Sequence, residues 1–244
     1  YLAGVAQTDW SWAPLLVDAD NDGFRDLFIS NGLPKDMTDL DFMAYRKEAV
    51  AATPIDQVLS QLPTLKVSNY AFRNNGDATF TNLTNEWGWE EPTFSAGMAY
   101  ADLDRDGDMD VVINNTNMPA SLLKNNAQEK KETAGHFLNV VFKGNAQNSS
   151  GFGAVVHLYS QGQQQVAEHT PYRGYMSSVE PMVHFGLGTT TNIDSVVVVW
   201  FDGKRQTIRQ PKADATIIAD YRQASDAAAS GVTAREQSFT EITS

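Results

Sequence analysis

Nine aspartates gathered in two short stretches are the residues of this chain best placed to do chemistry. The first stretch reads Asp18-Ala19-Asp20-Asn21-Asp22-Gly23-Phe24-Arg25-Asp26; the second reads Asp102-Leu103-Asp104-Arg105-Asp106-Gly107-Asp108-Met109-Asp110. Both follow D-x-D-x-D-G-x-x-D. Carboxylates at positions 1, 3, 5 and 9 converge if glycine at position 6 lets the backbone turn sharply, and position 7 adds a main-chain carbonyl. The product is a ring of hard oxygen donors, which Ca2+ fits best. Without a cation, four carboxylates within nine residues repel one another. A lone loop of this kind also admits the less favoured reading of a solvated acidic turn. Two copies with the same spacing and matching flanks argue against that.

The elements that must position these loops are strands. An EF-hand would need a bidentate Glu at position 12 and helices on both sides. Position 12 is Ile29 in the first copy and Ile113 in the second. The following runs, Leu27-Phe28-Ile29 and Val111-Val112-Ile113, are β-branched or aromatic and favour strands. Each copy is therefore a strand–loop–strand unit.

These two units resemble the FG-GAP (VCBS-type) repeats of integrin-like β-propellers, in which such a loop joins two strands of a blade and binds Ca2+. The resemblance implies two Ca2+ sites. Their ligands would be Asp18, Asp20, Asp22, the Phe24 carbonyl and Asp26, and then Asp102, Asp104, Asp106, the Asp108 carbonyl and Asp110. Asp108, acting through its backbone, is expected to leave its side chain as exposed charge.

The chain has 244 residues, no cysteine and a formal net charge of −12. No disulfide, thiolate metal site or cysteine nucleophile is available. The acidic balance argues against a nucleic-acid partner, and no apolar run approaches the roughly 20 residues of a membrane span. Calcium loops without Glu at position 12 fill where Ca2+ is millimolar, so the expected location is extracellular or cell-surface.

Along the chain, residues 1–126 read as propeller blades interrupted by an insertion at about 33–66. The insertion shows in the spacing of a shared marker, Phe72-Arg73-Asn74-Asn75 against Leu123-Lys124-Asn125-Asn126. Asp26 to Asn74 is 48 residues, whereas Asp110 to Asn125 is 15, so about 33 residues are extra. Helix formers from Asp36 to Val50, with Asp36 or Thr38 as cap, and Thr53-Pro54 opening a second helix that Pro63 ends, predict two helices there. Tyr70–Thr84 reads as a hairpin around Asn75-Gly76. Trp87 and Trp89 follow; exposed tryptophans can be glycan platforms, but the core is the favoured place for them.

Residues 127–135 read as a charged linker, and 136–219 as a second β region without Asp loops, expected as a small sandwich or barrel. Asn148–Ala154, Gln165 with Glu168, Gly174-Tyr175-Met176-Ser177-Ser178, Phe185-Gly186-Leu187-Gly188 and Val199-Trp200-Phe201-Asp202-Gly203 stand in an order that resembles the ASPIC/UnbV domain. Phe201 stands where that family usually has proline. Residues 220–244 read as a linker ending in Phe239-Thr240-Glu241-Ile242-Thr243, which repeats Phe80-Thr81-Asn82-Leu83-Thr84 in pattern and predicts a further repeat. The expected fold class is thus all-β: calcium-loop blades in an incomplete ring with a helical insertion, then a sandwich-like domain. Leu15, Leu16, Val17, Met98 and Tyr100 are expected to pack against sequence outside this chain.

No catalytic constellation stands out. His136, His157, His169 and His184 lack metal-ligand spacing, and there is no nucleophile elbow or phosphate-cradling loop. Glu168, His169, Tyr172 and Arg173 are candidates for a polar cluster. The leading reading is a non-enzymatic, calcium-stabilised extracellular binding or scaffold module of a larger cell-surface protein. Its expected partners are a protein or glycan ligand, together with the rest of the polypeptide or a partner subunit; the family resemblance points to a cell-surface or outer-membrane-associated bacterial protein, for which a nutrient-uptake complex is one candidate partner. The alternative is part of a glycan- or phosphoester-processing enzyme.

Overall fold

A computed structural model describes residues 2–49, 53–129 and 134–226. It is mostly β-sheet. The first loop lies between β1 (Ser11–Val17) and β2 (Asp26–Asn31). Two helices follow, α1 (Leu40–Ala49) and α2 (Ile55–Ser60), then β3 (Val67–Ser68), β4 (Tyr70–Asn74), β5 (Phe80–Asn82) and β6 (Pro92–Thr93). The second loop joins β7 (Ser95–Ala101) to β8 (Asp110–Asn115), and β9 (Ser121–Leu123) completes that unit. Strands β1-β2-β4-β5 form one antiparallel sheet and β7-β8-β9 another, while β3 pairs with β6. The two units are therefore equivalent, with Val17 opposite Asp26 and Ala101 opposite Asp110 at the mouth of each loop. Among the described residues these sheets do not close into a ring.

The helices fall where helix formers were read, but the first cap differs. Asp39 Oδ1 accepts the Phe42 amide at 2.7 Å, while Asp36 instead accepts the Thr38 amide and hydroxyl ahead of the helix. Pro54 precedes α2 as its N-cap rather than sitting inside its first turn. Phe42, Val58 and Leu62 bury a small core of their own between the helices.

Period-two alternation puts Ala13, Leu15 and Val17 on one face of β1, and this face packs on Met98, Met109, Val111 and Ile113 of the second unit. The expectation that these side chains need sequence from elsewhere is corrected here. Leu15, Val17 and Met98 are fully buried within the chain, Tyr100 packs at the margin of the same core, and Leu16, on the opposite face of β1, is exposed. The two sheets cover each other's inner faces. Trp89 belongs to this core, stacked on Phe28 at 4.5 Å between centroids, and Trp87 packs at its edge.

The C-terminal region has seven strands: β10 (His136–Lys143), β11 (Val155–Ser160), β12 (Gln163–Glu168), β13 (Val183–Gly188), β14 (Ser195–Val199), β15 (Arg205–Arg209) and β16 (Ala215–Asp220). They form two sheets, β13-β10-β16 and β12-β11-β14-β15, around a core of Leu138, Val140, Val156, Leu158, Phe185, Val196, Val198 and Trp200. The pairing of β10 with β16 is parallel. Structure continues beyond residue 219, contrary to the linker reading: a 3-10 helix (Tyr221–Gln223) packs on the core and Ser225 bridges to Arg205. The segment Phe239–Thr243 lies outside the described residues.

The free edge of β12 is covered from outside its sheet. Arg25 donates to the Val166 carbonyl at 2.9 Å and Arg173 to the Glu168 carbonyl at 3.1 Å. Two carbonyls spaced by two residues on an edge strand are thus satisfied by guanidinium groups rather than by another strand.

Candidate metal centres

Antiparallel strands set the two ends of each loop side by side, and the backbone between them turns in the same way in both. Position 4 is left-handed in each (Asn21, φ 57°; Arg105, φ 62°), and glycine at position 6 has φ 97° in each. An L side chain is strained at that φ, which explains the glycine. The result is two carboxylate triads, Asp18, Asp20, Asp22 and Asp102, Asp104, Asp106, each with one oxygen per residue within 4.8 Å of the others.

Backbone amides fix the triads in matched fashion. The position-6 amide donates to the position-1 carboxylate (Gly23 to Asp18, 2.9 Å; Gly107 to Asp102, 3.2 Å). The position-7 amide donates to the position-5 carboxylate (Phe24 to Asp22, 2.8 Å; Asp108 to Asp106, 3.2 Å). The position-9 aspartates do something else. Asp26 accepts the amides of Ala19 and Asn74, both at 2.9 Å; Asp110 accepts those of Leu103 at 3.1 Å and Asn125 at 2.8 Å. They lie outside the triads and tie each loop to the next strand of its sheet. The side chain of the shared asparagine is used differently in the two copies: Asn74 donates to the Arg25 carbonyl of its own loop, whereas Asn125 donates across to the Ala19 carbonyl of loop 1 at 2.7 Å and, at 3.4 Å, to the Met109 carbonyl of loop 2. The marker at 74 and 125 was visible as a repeat, and its role as the loop's clasp is a structural finding.

The electrostatics are those of crowded, half-desolvated carboxylates. Burial, then the charges of Asp22 and Asp26, push the Asp18 carboxyl well above its ordinary range. Burial and Asp22 raise Asp20, and burial raises Asp26 to about 7. Burial and Asp106 raise Asp102. Asp104 is the exception, lowered chiefly by Lys124, whose Nζ lies 2.9 Å from its Oδ2. The donor set fits a hard divalent cation on a specific observation. Asp102 Oδ1 is buried with no hydrogen-bond partner, which is costly for a carboxylate oxygen unless a cation meets it.

Asp108 differs from its expected exposed state. It is fully buried; Oδ2 accepts the Gln128 amide at 2.9 Å, Oδ1 has no partner, and burial pushes its carboxyl up to about 7. The corresponding Phe24 is half exposed. The candidate polar cluster does not assemble. His169 is buried, stacked on Phe142 with centroids 3.8 Å apart and bonded to the Ser150 carbonyl, while Tyr172 is exposed.

The residue that sequence reasoning missed is Asn21. Fully buried, it donates through Nδ2 to the Gly107 carbonyl at 3.0 Å, and its Oδ1 meets His184 Nε2 at 2.7 Å. Its main-chain oxygen accepts the Gly188 amide at 2.7 Å. One side chain thus joins loop 1, loop 2 and β13.

Comparison with known families agrees with this organisation. Residues 58–113 match the FG-GAP-like repeat and residues 144–226 match ASPIC and UnbV. The first match contains the second loop; the first loop lies before it and is tied to it by the internal repeat described above. No curated protein matches the chain. The chain thus carries one segment that matches the FG-GAP-like repeat and, after it, one that matches ASPIC and UnbV.

Proposed function

We propose that this chain is a calcium-stabilised binding or scaffold module that works outside the cell or at its surface, with one Ca2+ in each loop. The observation that supports this most directly is the duplication of the carboxylate triad at the same place in two equivalent strand–loop–strand units. A bound cation would neutralise carboxylates that burial and mutual repulsion otherwise raise, and would hold each loop as a rigid corner. Asp18, Asp20, Asp22 and the Phe24 carbonyl would hold one ion, and Asp102, Asp104, Asp106 and the Asp108 carbonyl the other, with Asp26 and Asp110 as the clasping fifth members.

The FG-GAP-like repeat supports an extracellular or surface setting. Among the described residues no helix is long and apolar enough to cross a membrane. Association with the outer membrane rests on family resemblance, a nutrient-uptake complex is one candidate partner in that setting, and the role proposed is binding rather than catalysis. Titration calorimetry with Ca2+ tests the centre of the reading. The native chain should take up two ions, and Asp20→Ala and Asp104→Ala one each. Two ions in both variants would remove the assignment.

A further inference from the structure

A cavity of about 430 Å³ opens between the two repeat units, beside loop 1. Its floor is aromatic and apolar: Phe28 stacks on Trp89 and meets Trp87 edge-on at 6.0 Å. Its rim is polar and mixed. Asp20, Asp22 and Glu86 offer acceptors, and Lys124 and Asn126 offer donors.

This mixture discriminates between ligand classes. Three carboxylates on the rim oppose an anion, and the nearest cation, Lys124, is already paired with Asp104 at 2.9 Å and Glu129 at 2.7 Å. An ammonium ligand would suit the acids and the rings but would meet the Lys124 ammonium. Hydroxyl groups both donate and accept, so they can use every group on the rim, while the C–H face of a pyranose covers an indole ring without charge. The volume lies in the range of small-molecule sites, which typically span about 300–1,000 Å³.

We propose that this cavity binds a neutral saccharide, stacked on Trp87 and hydrogen-bonded by Glu86, Asn126 and the outer carboxylates of loop 1. The inference deepens the reading of the chain as a binding module and rests on it. Asp20 and Asp22 belong both to the cavity and to the loop 1 triad, so the sugar site and the first metal centre share a wall.

The test is a tryptophan-fluorescence titration of the full chain in millimolar Ca2+. The probes are glucose, galactose, mannose, N-acetylglucosamine and their disaccharides, with glucuronate and choline beside them. At least one neutral sugar should give a saturable change in emission. Glu86→Ala combined with Asn126→Ala, both changes at the rim, should weaken that binding by about tenfold. Trp87→Leu should abolish both the signal and the heat of binding. No saturable response to any neutral sugar, a preference for choline or glucuronate, or wild-type affinity in the rim variant would each overturn the proposal. Calcium calorimetry on the same samples separates the two levels. Two bound ions without sugar binding would refute the cavity's role alone, whereas absence of calcium binding would refute the module reading beneath it.

Discussion

The two loops have the same sequence pattern, the same left-handed positions and the same clasp, yet they sit in different surroundings. Loop 1 is walled by the C-terminal region: Gly186 lies against Asp18, His184 and Gly188 bond to Asn21, and Asp18 is 5% exposed. Loop 2 meets that region at fewer polar points, with Glu180 on the Asp102 amide, and through the apolar Phe137 ring over Gly107, and it leaves Asp104 and Arg105 in solvent. Position 4 concentrates the difference. Asn21 is a buried junction of three segments, and Arg105 is exposed. The comparison separates two levels of specification. Local sequence makes the triad, and tertiary contacts decide whether the triad is also part of an interface.

The most disruptive test of this difference is Gly186→Ala. A Cβ there would overlap Asp18 Oδ2 and the backbone of Asn21. Relief requires loop 1 and β13 to separate, at about 3 kcal/mol, the upper end of usual overpacking losses. Urea unfolding in saturating Ca2+ should register the loss, and calorimetry should show the first site weakened and the second intact. Equal damage to both sites would mean that the loops are not independent in the way the contacts imply.

Next in size is the pair at position 4. Asn21→Ala removes two buried side-chain hydrogen bonds and strands the Gly107 carbonyl and His184 Nε2, while His184 Nδ1 keeps Asn139. The expected loss is roughly 2 to 3 kcal/mol, against about 0.5 kcal/mol or less for Arg105→Ala. Similar midpoints for the two variants would refute Asn21 as the junction.

The pH dependence of the seam follows from His184. Burial, and then the charge of Arg25, push its imidazole down to about 4. The unfolded chain takes up a proton near pH 6.5, whereas the folded chain does so only near its lowered value. Stability is therefore fully present above about pH 6.5 and is lost as pH falls toward 4. Between about pH 7 and 5 the loss amounts to about 2 kcal/mol. His184→Gln should flatten the stability–pH curve by that amount in calcium, with the shared carboxylate contributions cancelling between the two proteins. Parallel curves would exclude His184 as the source.

What could be read from sequence divides along the same line. The D-x-D-x-D-G-x-x-D loops, the Asn75-Gly76 hairpin and the helix formers of the insertion are local signals, and each element stands where its residues indicate. The clasp at Asn74 and Asn125 was half legible: its recurrence showed, but its bonds to Asp26 and Asp110 cross 48 and 15 residues and leave no pattern in a local window. Asn21 was illegible, because its partners lie 86 and 163 residues away and asparagine inside a turn has an ordinary local explanation. Asp108 was misplaced for a related reason. Five aspartates in nine residues suggest solvent, while the side chain is buried with the Gln128 amide on its Oδ2. The packing of Leu15 and Val17 on Met98 was missed because pairing between two repeats depends on how the units fold back on each other, which alternation within a strand does not encode.

The smallest expected effect concerns the cation that stands beside each loop. The residue before the clasp is basic in both copies, Arg73 in the first and Lys124 in the second. Lys124 stands 2.9 Å from Asp104 Oδ2, at position 3 of loop 2, and also binds Glu129. Arg73 influences Asp20 through charge, behind burial and the neighbouring Asp22. An ion entering loop 2 must therefore displace an ammonium from one of its ligands, a step that loop 1 does not share to the same degree. Lys124→Met keeps the aliphatic stem and removes that competitor. Both partners are solvent-exposed, so the gain should be modest: calcium affinity at loop 2 should rise roughly two- to fivefold, more at low salt than at high. Calorimetry in an Asp20→Ala background isolates this site. The matched experiment, Arg73→Met in an Asp104→Ala background, should change affinity by less. If the Arg73 variant gained as much as the Lys124 variant, the two loops would differ only in their walls and not in the charge that guards them.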